Sequence, residues 1–203
     1  NKRANEHVLS RQIYKRTKVT TTMETHDNHD EFSYEIKIPE ERVAVLIGTG
    51  GETKKKIEEE SQCQLDISKE GDVEIRGDDG LKLYTAREIV KAIARGFNPN
   101  TALLLLKQDY AFEMINMKDI AGKSQNTMQR LKGRVIGKGG RSREEIERLT
   151  DCYVTIYGKT IGIIGEVQQV SIAREAVAML LQGSMHKTVY SFLEKKKKEM
   201  LFG

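Results

Sequence analysis

A chain of 203 residues has room for one large domain or for two of about 70 to 100 residues. Its 38% hydrophobic and 32% charged residues are the balance of a soluble globular protein, and its wholly apolar runs, such as Ala102 to Leu106, are far short of the roughly 20 residues a membrane-spanning helix needs. Lys and Arg number 34 against 30 Asp and Glu, and the net charge of +4 is too mild to name a polyanionic partner until the charges are located along the chain.

Residues 1–31 carry no apolar periodicity and are expected to be a disordered tail. From Asn1-Lys2-Arg3 through His29 there is no apolar stretch of the secretory kind, so an intracellular, cytoplasmic protein is expected. Phe32, Tyr34, Ile36 and Ile38 alternate with polar residues, the mark of a half-buried strand, and Pro39 closes it. A short helix, Glu40 to Ile47, runs into Gly48-Thr49-Gly50-Gly51, and a second, Glu52 to Ser61, leaves it. Two strands follow, Gln64 to Ser68 and Asp72 to Gly77, joined by the turn Lys69-Glu70-Gly71. Ala86, Ile89, Val90, Ile93 and Ala94 recur at helical spacing, which predicts a longer amphipathic helix ending before Gly96. Asn98-Pro99 is a helix start, and Leu103 to Leu106 is too apolar for a solvated linker. Then come a strand from Tyr110 to Met117, helices on either side of Gly137 to Gly140, strands Tyr153 to Tyr157 and Thr160 to Gly165, and a helix from Glu166 to Leu181. Beyond Gly183, the positions Val189, Tyr190, Leu193 and Met200 predict a last helix, which carries Lys195 to Lys198.

The second half repeats the first. Val45-Leu46-Ile47-Gly48-Thr49-Gly50-Gly51 returns as Arg134-Val135-Ile136-Gly137-Lys138-Gly139-Gly140, and the offset, 137 − 48 = 89, also carries Ile57 onto Ile146 and Cys63 onto Cys152. Two copies of one β-α-α-β-β-α unit give an α+β fold with domains at 32–97 and 110–183, a helical connector at 98–109 and a C-terminal helix in 184–203.

Three glycines opening a helix suit an anion, because the backbone can come close and the helix amides point outward. The nucleotide-triphosphate pattern G-x-x-x-x-G-K-[ST] does not fit: Gly133 to Gly137 encloses three residues, and Lys138 is followed by Gly139. Nor does the dinucleotide pattern, because Thr53 and Ser142 stand where its third glycine belongs. Ile-Gly-x-Gly-Gly between two short helices, with an isoleucine six residues after the last glycine, resembles the K-homology (KH) family. Its Gly-x-x-Gly loop clamps about four nucleotides of single-stranded RNA backbone. The element order is that of type I KH domains, which implies a three-stranded sheet with helices packed on one face.

The charges rank the two loops. Arg130, Lys132, Arg134, Lys138, Arg141 and Arg143 occur between 130 and 143 with no acid among them, so Gly137, Lys138, Gly139, Gly140, Arg134, Arg141 and Arg143 are candidate RNA contacts. In the first copy Thr49 replaces the lysine and Glu52 opposes Lys54, Lys55 and Lys56; Gly48, Thr49, Gly50, Gly51, Lys54 and Lys55 are candidates for a weaker RNA grip or for another contact. Ile47 and Ile136 have the spacing of core residues as much as of base contacts, and Lys195 to Lys198 suit either an extended RNA track or a solvated helix face.

The stretches Val45 to Lys55, Arg95-Gly96-Phe97-Asn98-Pro99, Tyr157-Gly158-Lys159-Thr160 and Gly183-Ser184-Met185-His186-Lys187-Thr188-Val189-Tyr190 resemble one tandem-KH family. It comprises the archaeal homologues of the eukaryotic small-subunit assembly factor called partner of Nob one. The resemblance runs from about Phe32 to Met200, with the insert around Ala121 to Thr127 left unaligned. It implies binding near the 3′ end of small-subunit ribosomal RNA, with the rRNA-processing endonuclease and the alpha subunit of initiation factor two as partners. No enzyme activity, cofactor or metal is expected. Cys63 and Cys152 form no Cys-x-x-Cys pair and read as buried free thiols, and the one metal-like cluster, His26, Asp27, His29 and Asp30, lies in the tail. A nuclease is the enzymatic rival, and a scaffold whose first copy binds protein is the other alternative.

Overall fold

The computed structural model describes residues 32–202. The expected tail and its His26, Asp27, His29 and Asp30 cluster lie outside the described residues. The chain divides into two compact units after Arg87.

In the first unit, β1 (Phe32–Lys37), α1 (Glu40–Ile47), α2 (Glu52–Ser61), β2 (Gln64–Ile67) and β3 (Asp72–Gly77) follow in order, and α3 (Gly80–Ala94) begins there. The sheet order is β1-β3-β2, all antiparallel, with Tyr34 opposite Ile75 and Leu65 opposite the same Ile75. Period-two alternation turns Val73 and Ile75 of the central strand inward, where they join Leu46, Ile57, Leu65, Leu83 and Ala86 in the core. Pro39, held at φ −62°, starts α1 without an amide to satisfy. Asp79 starts α3: its Oδ1 accepts the amides of Leu81 at 2.8 Å and Lys82 at 3.2 Å, which holds its carboxyl below the usual range.

The second unit begins with the end of α3. Asn98 caps α4 (Pro99–Ala102) by accepting from the Asn100 amide at 2.9 Å, and a 3-10 turn follows at Leu103–Leu106. Then come β4 (Tyr110–Asn116), α5 (Lys118–Ala121), α6 (Gln125–Ile136), α7 (Arg141–Thr150), β5 (Tyr153–Tyr157), β6 (Thr160–Glu166), α8 (Val167–Leu181) and α9 (His186–Phe202). The sheet order β4-β6-β5 repeats that of the first unit. The unaligned insert resolves into the end of α5, Gly122-Lys123 and a serine cap, with the Thr127 amide donating to Ser124 Oγ at 3.2 Å.

The central strand β6 is buried from Thr160 to Gly165. Ile161 and Ile163 face a core built from α6, α7, α8 and α9, including Leu131, Val135, Ile146, Val177, Leu180, Val189 and Leu193. On the opposite face Phe97 lies over the strand, edge-on to Phe112 with centroids 5.9 Å apart. A Cβ on Gly162 would stand 2.7 Å from the Phe97 ring, so this position has to be glycine. The segment after α3 thus lies on the second sheet.

Both thiols are free and buried, Cys63 at 4% and Cys152 at 3% exposure. Each lies against a strand glycine, Gly77 or Gly165, and each donates weakly to a carbonyl two residues earlier, Ser61 or Thr150, at 3.5 Å. Burial pushes the Cys152 thiol up to about 11. Among the described residues no helix is long and apolar enough to cross a membrane, and no group of three or more His, Cys, Asp or Glu is placed to hold a metal.

Candidate nucleic-acid interface

The two glycine loops have the same backbone. Gly48 has φ 75° and ψ 174° and Gly137 has φ 74° and ψ 174°, a region open only to glycine. The next pair, Gly50 (φ 61°, ψ 17°) and Gly139 (φ 62°, ψ 23°), is left-handed in both copies, as are Gly51 and Gly140. Sterics enforce the first glycine as well: a Cβ there would meet Thr53 Oγ1 at 2.3 Å in one copy and Ser142 Cβ at 2.6 Å in the other. Around Gly50 and Gly139 there is open space instead. Each loop thus offers an exposed stretch of backbone that a ligand can approach closely. No side chain caps the start of α2 or α7; the Glu52 and Arg141 amides donate instead to the Thr49 and Lys138 carbonyls of their loops.

Side chains differentiate the copies. Lys138 and Arg141 are exposed at the second loop, and among the described residues neither has an ion-pair partner. Their counterparts are Thr49 and Glu52. Arg143 lies 3.6 Å from Glu147 and Lys54 lies 3.8 Å from Glu58, in the same relation within each copy, so both cations sit beside the loop but share their charge with a carboxylate. Lys55 is exposed. Glu144, one position beyond the basic run, lies in the first turn of α7 with an oxygen 3.4 Å from where a Gly140 Cβ would stand. It is exposed, so it can swing away from an incoming phosphate.

Beside the first loop, α2 and β2 enclose an open cleft of about 310 Å³ lined by Lys54, Glu58, Gln64, Leu65, Asp66 and Arg76. Arg76 is held by Glu74 at 2.6 Å, which lowers the Glu74 carboxyl. In the second unit the same positions carry Arg143, Glu147, Tyr153, Val154 and Thr155, with Ile164 opposite Tyr153 in the sheet as Arg76 is opposite Gln64. Arg143 and Glu147 keep the charge of Lys54 and Glu58, Val154 and Ile164 are buried, and Tyr153, 47% exposed, is the aromatic surface that the second copy adds. Ile136, at 37% exposure, is open to this side of the loop, whereas Ile47 is half-buried.

One candidate has a different task. Arg134 donates from Nε to the Leu180 carbonyl at 2.8 Å and from its terminal nitrogen to the Ser184 carbonyl at 2.5 Å. Its guanidinium thus commits two donors to the C-terminal end of α8. The lysine run is likewise committed in part. Lys197 donates to the Arg148 carbonyl at 3.0 Å and Asp151 at 3.2 Å, and Lys195 and Lys196 both pair with Glu199. Sequence reasoning missed Tyr153 and His186; the exposed aromatic beginning β5 was the available signal for the first.

Comparison with known proteins agrees with this geometry. The model of the second KH domain of PNO1, described as a eukaryotic-type KH domain of type I, matches residues 111–198, and the KH-domain model matches residues 33–92. The KH domain-containing protein MJ0443 of Methanocaldococcus jannaschii is 48% identical over 169 residues, covering 81% of this chain and 74% of that one. RNA-binding protein pno1 of Drosophila pseudoobscura pseudoobscura is 34% identical over 116 residues, which cover 57% of this chain but only 49% of the fly protein. Among solved structures, the complex of a/eIF2alpha, aDim2p and rRNA from Pyrococcus horikoshii contains a chain that matches with a TM-score of 0.78 at 41% identity, covering 85% of this chain and 97% of that one. With two KH units in one chain and this identity to a relative matched over most of its length, the chain belongs to the PNO1 family of tandem KH-domain proteins.

Proposed function

We propose that this chain is a non-catalytic, single-stranded RNA-binding factor of small ribosomal subunit assembly that acts in the cytoplasm and holds the RNA backbone on its second glycine loop, near the 3′ end of the small-subunit rRNA. The observation that carries the reading is the pairing of an exposed glycine backbone with the exposed Lys138 and Arg141, in a unit that also exposes Ile136 and Tyr153. Phosphates take the loop backbone and cations; a base takes the exposed Tyr153 ring. The Pyrococcus complex with rRNA and a/eIF2alpha supports the RNA and makes an initiation factor two alpha subunit a proposed partner; the rRNA-processing endonuclease is a second.

Binding of a labelled oligonucleotide from the rRNA 3′ end, followed across a salt series, tests this. About six phosphate contacts should give a log-log slope near −4, at about −0.7 per phosphate. Lys138→Asp combined with Gly139→Asp should remove most of the affinity; native affinity in that variant refutes the assignment. RNA cleavage by the purified chain with a divalent metal, lost on mutation within it, would overturn the non-catalytic reading.

The charged first cleft favours a protein contact for the first unit. Glu52 and Asp66 repel phosphate where the second unit has Arg141 and Thr155, and Thr49 supplies no cation. Changing Thr49 and Gly50 to Asp should then spare RNA affinity and weaken a protein partner, whereas equal RNA loss from both loops would contradict the division of labour.

A further inference from the structure

The helix that follows the second KH unit holds both helices that flank its glycine loop. At its first turn, His186 Nε2 lies 2.8 Å from the Arg134 carbonyl oxygen. A carbonyl only accepts, so the ring nitrogen carries the proton and donates. Arg134 reaches back with its guanidinium to the Leu180 and Ser184 carbonyls on either side of the α8–α9 corner. The last turn of α6, three residues before Gly137, is thus tied to that corner in both directions. At the far end of α9, Lys197 bonds the Arg148 carbonyl and Asp151, where α7 terminates. Between these points Val189 and Leu193 are fully buried in the core, so α9 is fixed along its length. In the first unit the residue in the place of Arg134 is Val45, which has nothing to donate.

We propose that Arg134 and His186 are positioning residues for RNA: their reciprocal clasp sets the end of α6, and so the placement of the Gly137–Gly140 backbone against phosphate. The inference rests on the reading that the second loop binds RNA. The clasp bears on where the loop is held, since its tip has no packing of its own: around Gly139 there is nothing within 4 Å of a Cβ position. A mobile loop must be ordered by the ligand at an entropic cost, and a clasped one has already met that cost.

The test measures affinity and dissociation rate for a short single-stranded RNA, with thermal midpoints taken alongside. His186→Ala should weaken binding about five-fold, the scale of one lost hydrogen bond, chiefly through faster dissociation. His186→Gln, whose amide can still donate, should bind near the native level even where the alanine variant is less stable. In the Lys138→Asp, Gly139→Asp background His186→Ala should add no further loss, because the clasp acts through the loop. Arg134→Gln should weaken binding while leaving the salt slope unchanged. Native affinity for His186→Ala, an equal loss in the loop-variant background, or a slope shallower by about 0.7 for Arg134→Gln would overturn the proposal, the last by showing a direct phosphate contact. Failure of the RNA reading itself would show differently, as full affinity in the loop variant alone.

Discussion

At the scale of single residues, the glycines of the second loop divide their duties. Gly137 is required by the fold: its dihedrals belong to glycine and Ser142 stands directly behind it. Gly137→Ala should therefore cost about 1–3 kcal/mol in a urea denaturation series, whatever it does to RNA. Gly139 is left-handed but unobstructed, a conformation aspartate tolerates, so Gly139→Asp should keep the urea midpoint close to native while losing RNA affinity. Cys152 gives a second prediction. Its thiol titrates near 11 in the folded chain against about 9 ordinarily, so above pH 9 the unfolded chain sheds this proton first. Stability is unaffected below pH 9 and falls as pH rises from about 9 to 11; the decline should be shallower in Cys152→Ala. Alkylation of native protein at pH 8 should be slow and should accelerate on unfolding.

Among the elements, one brace recurs at the spacing of the internal repeat. Glu58 accepts the Leu65 amide at 2.8 Å and Glu147 accepts the Val154 amide at 2.7 Å, so the helix leaving each glycine loop is hooked to the free edge of the next strand. Glu147→Ala should cost about 1–2 kcal/mol and speed hydrogen exchange at the Val154 amide, while Glu147→Gln should preserve most of both. The helices on either side of the first loop were legible to the residue, because Pro39 and the glycines mark their ends by backbone chemistry alone. The brace was not, since a glutamate on a charged helix looks like any solvated acid. The carbonyl partners of Arg134 were hidden for the same reason: Leu180 and Ser184 are 46 and 50 residues away, and local charge says nothing of them.

For the whole molecule, the duplication was legible, and so was the order of elements in each copy. What the repeat concealed is the asymmetry laid over it: the segment after α3, with Phe97, lies on the outer face of the second sheet. Phe97 is 4% exposed, and Phe97→Ala should cost about 3–5 kcal/mol. The loss should be regional. Hydrogen exchange at the β6 amides is expected to accelerate while β3, in the other unit, keeps its protection.

The near identity of the two glycine backbones has an evolutionary consequence. Since φ and ψ agree within a few degrees at Gly48 and Gly137 and at Gly50 and Gly139, the copies differ in chemistry and hardly in shape. A lineage can therefore recruit or silence the first loop by point changes at Thr49 and Glu52, with no intermediate that must refold. Two active loops on one chain would bind a long strand by avidity, the second contact formed at high effective concentration. One active loop would leave a single grip, more readily exchanged.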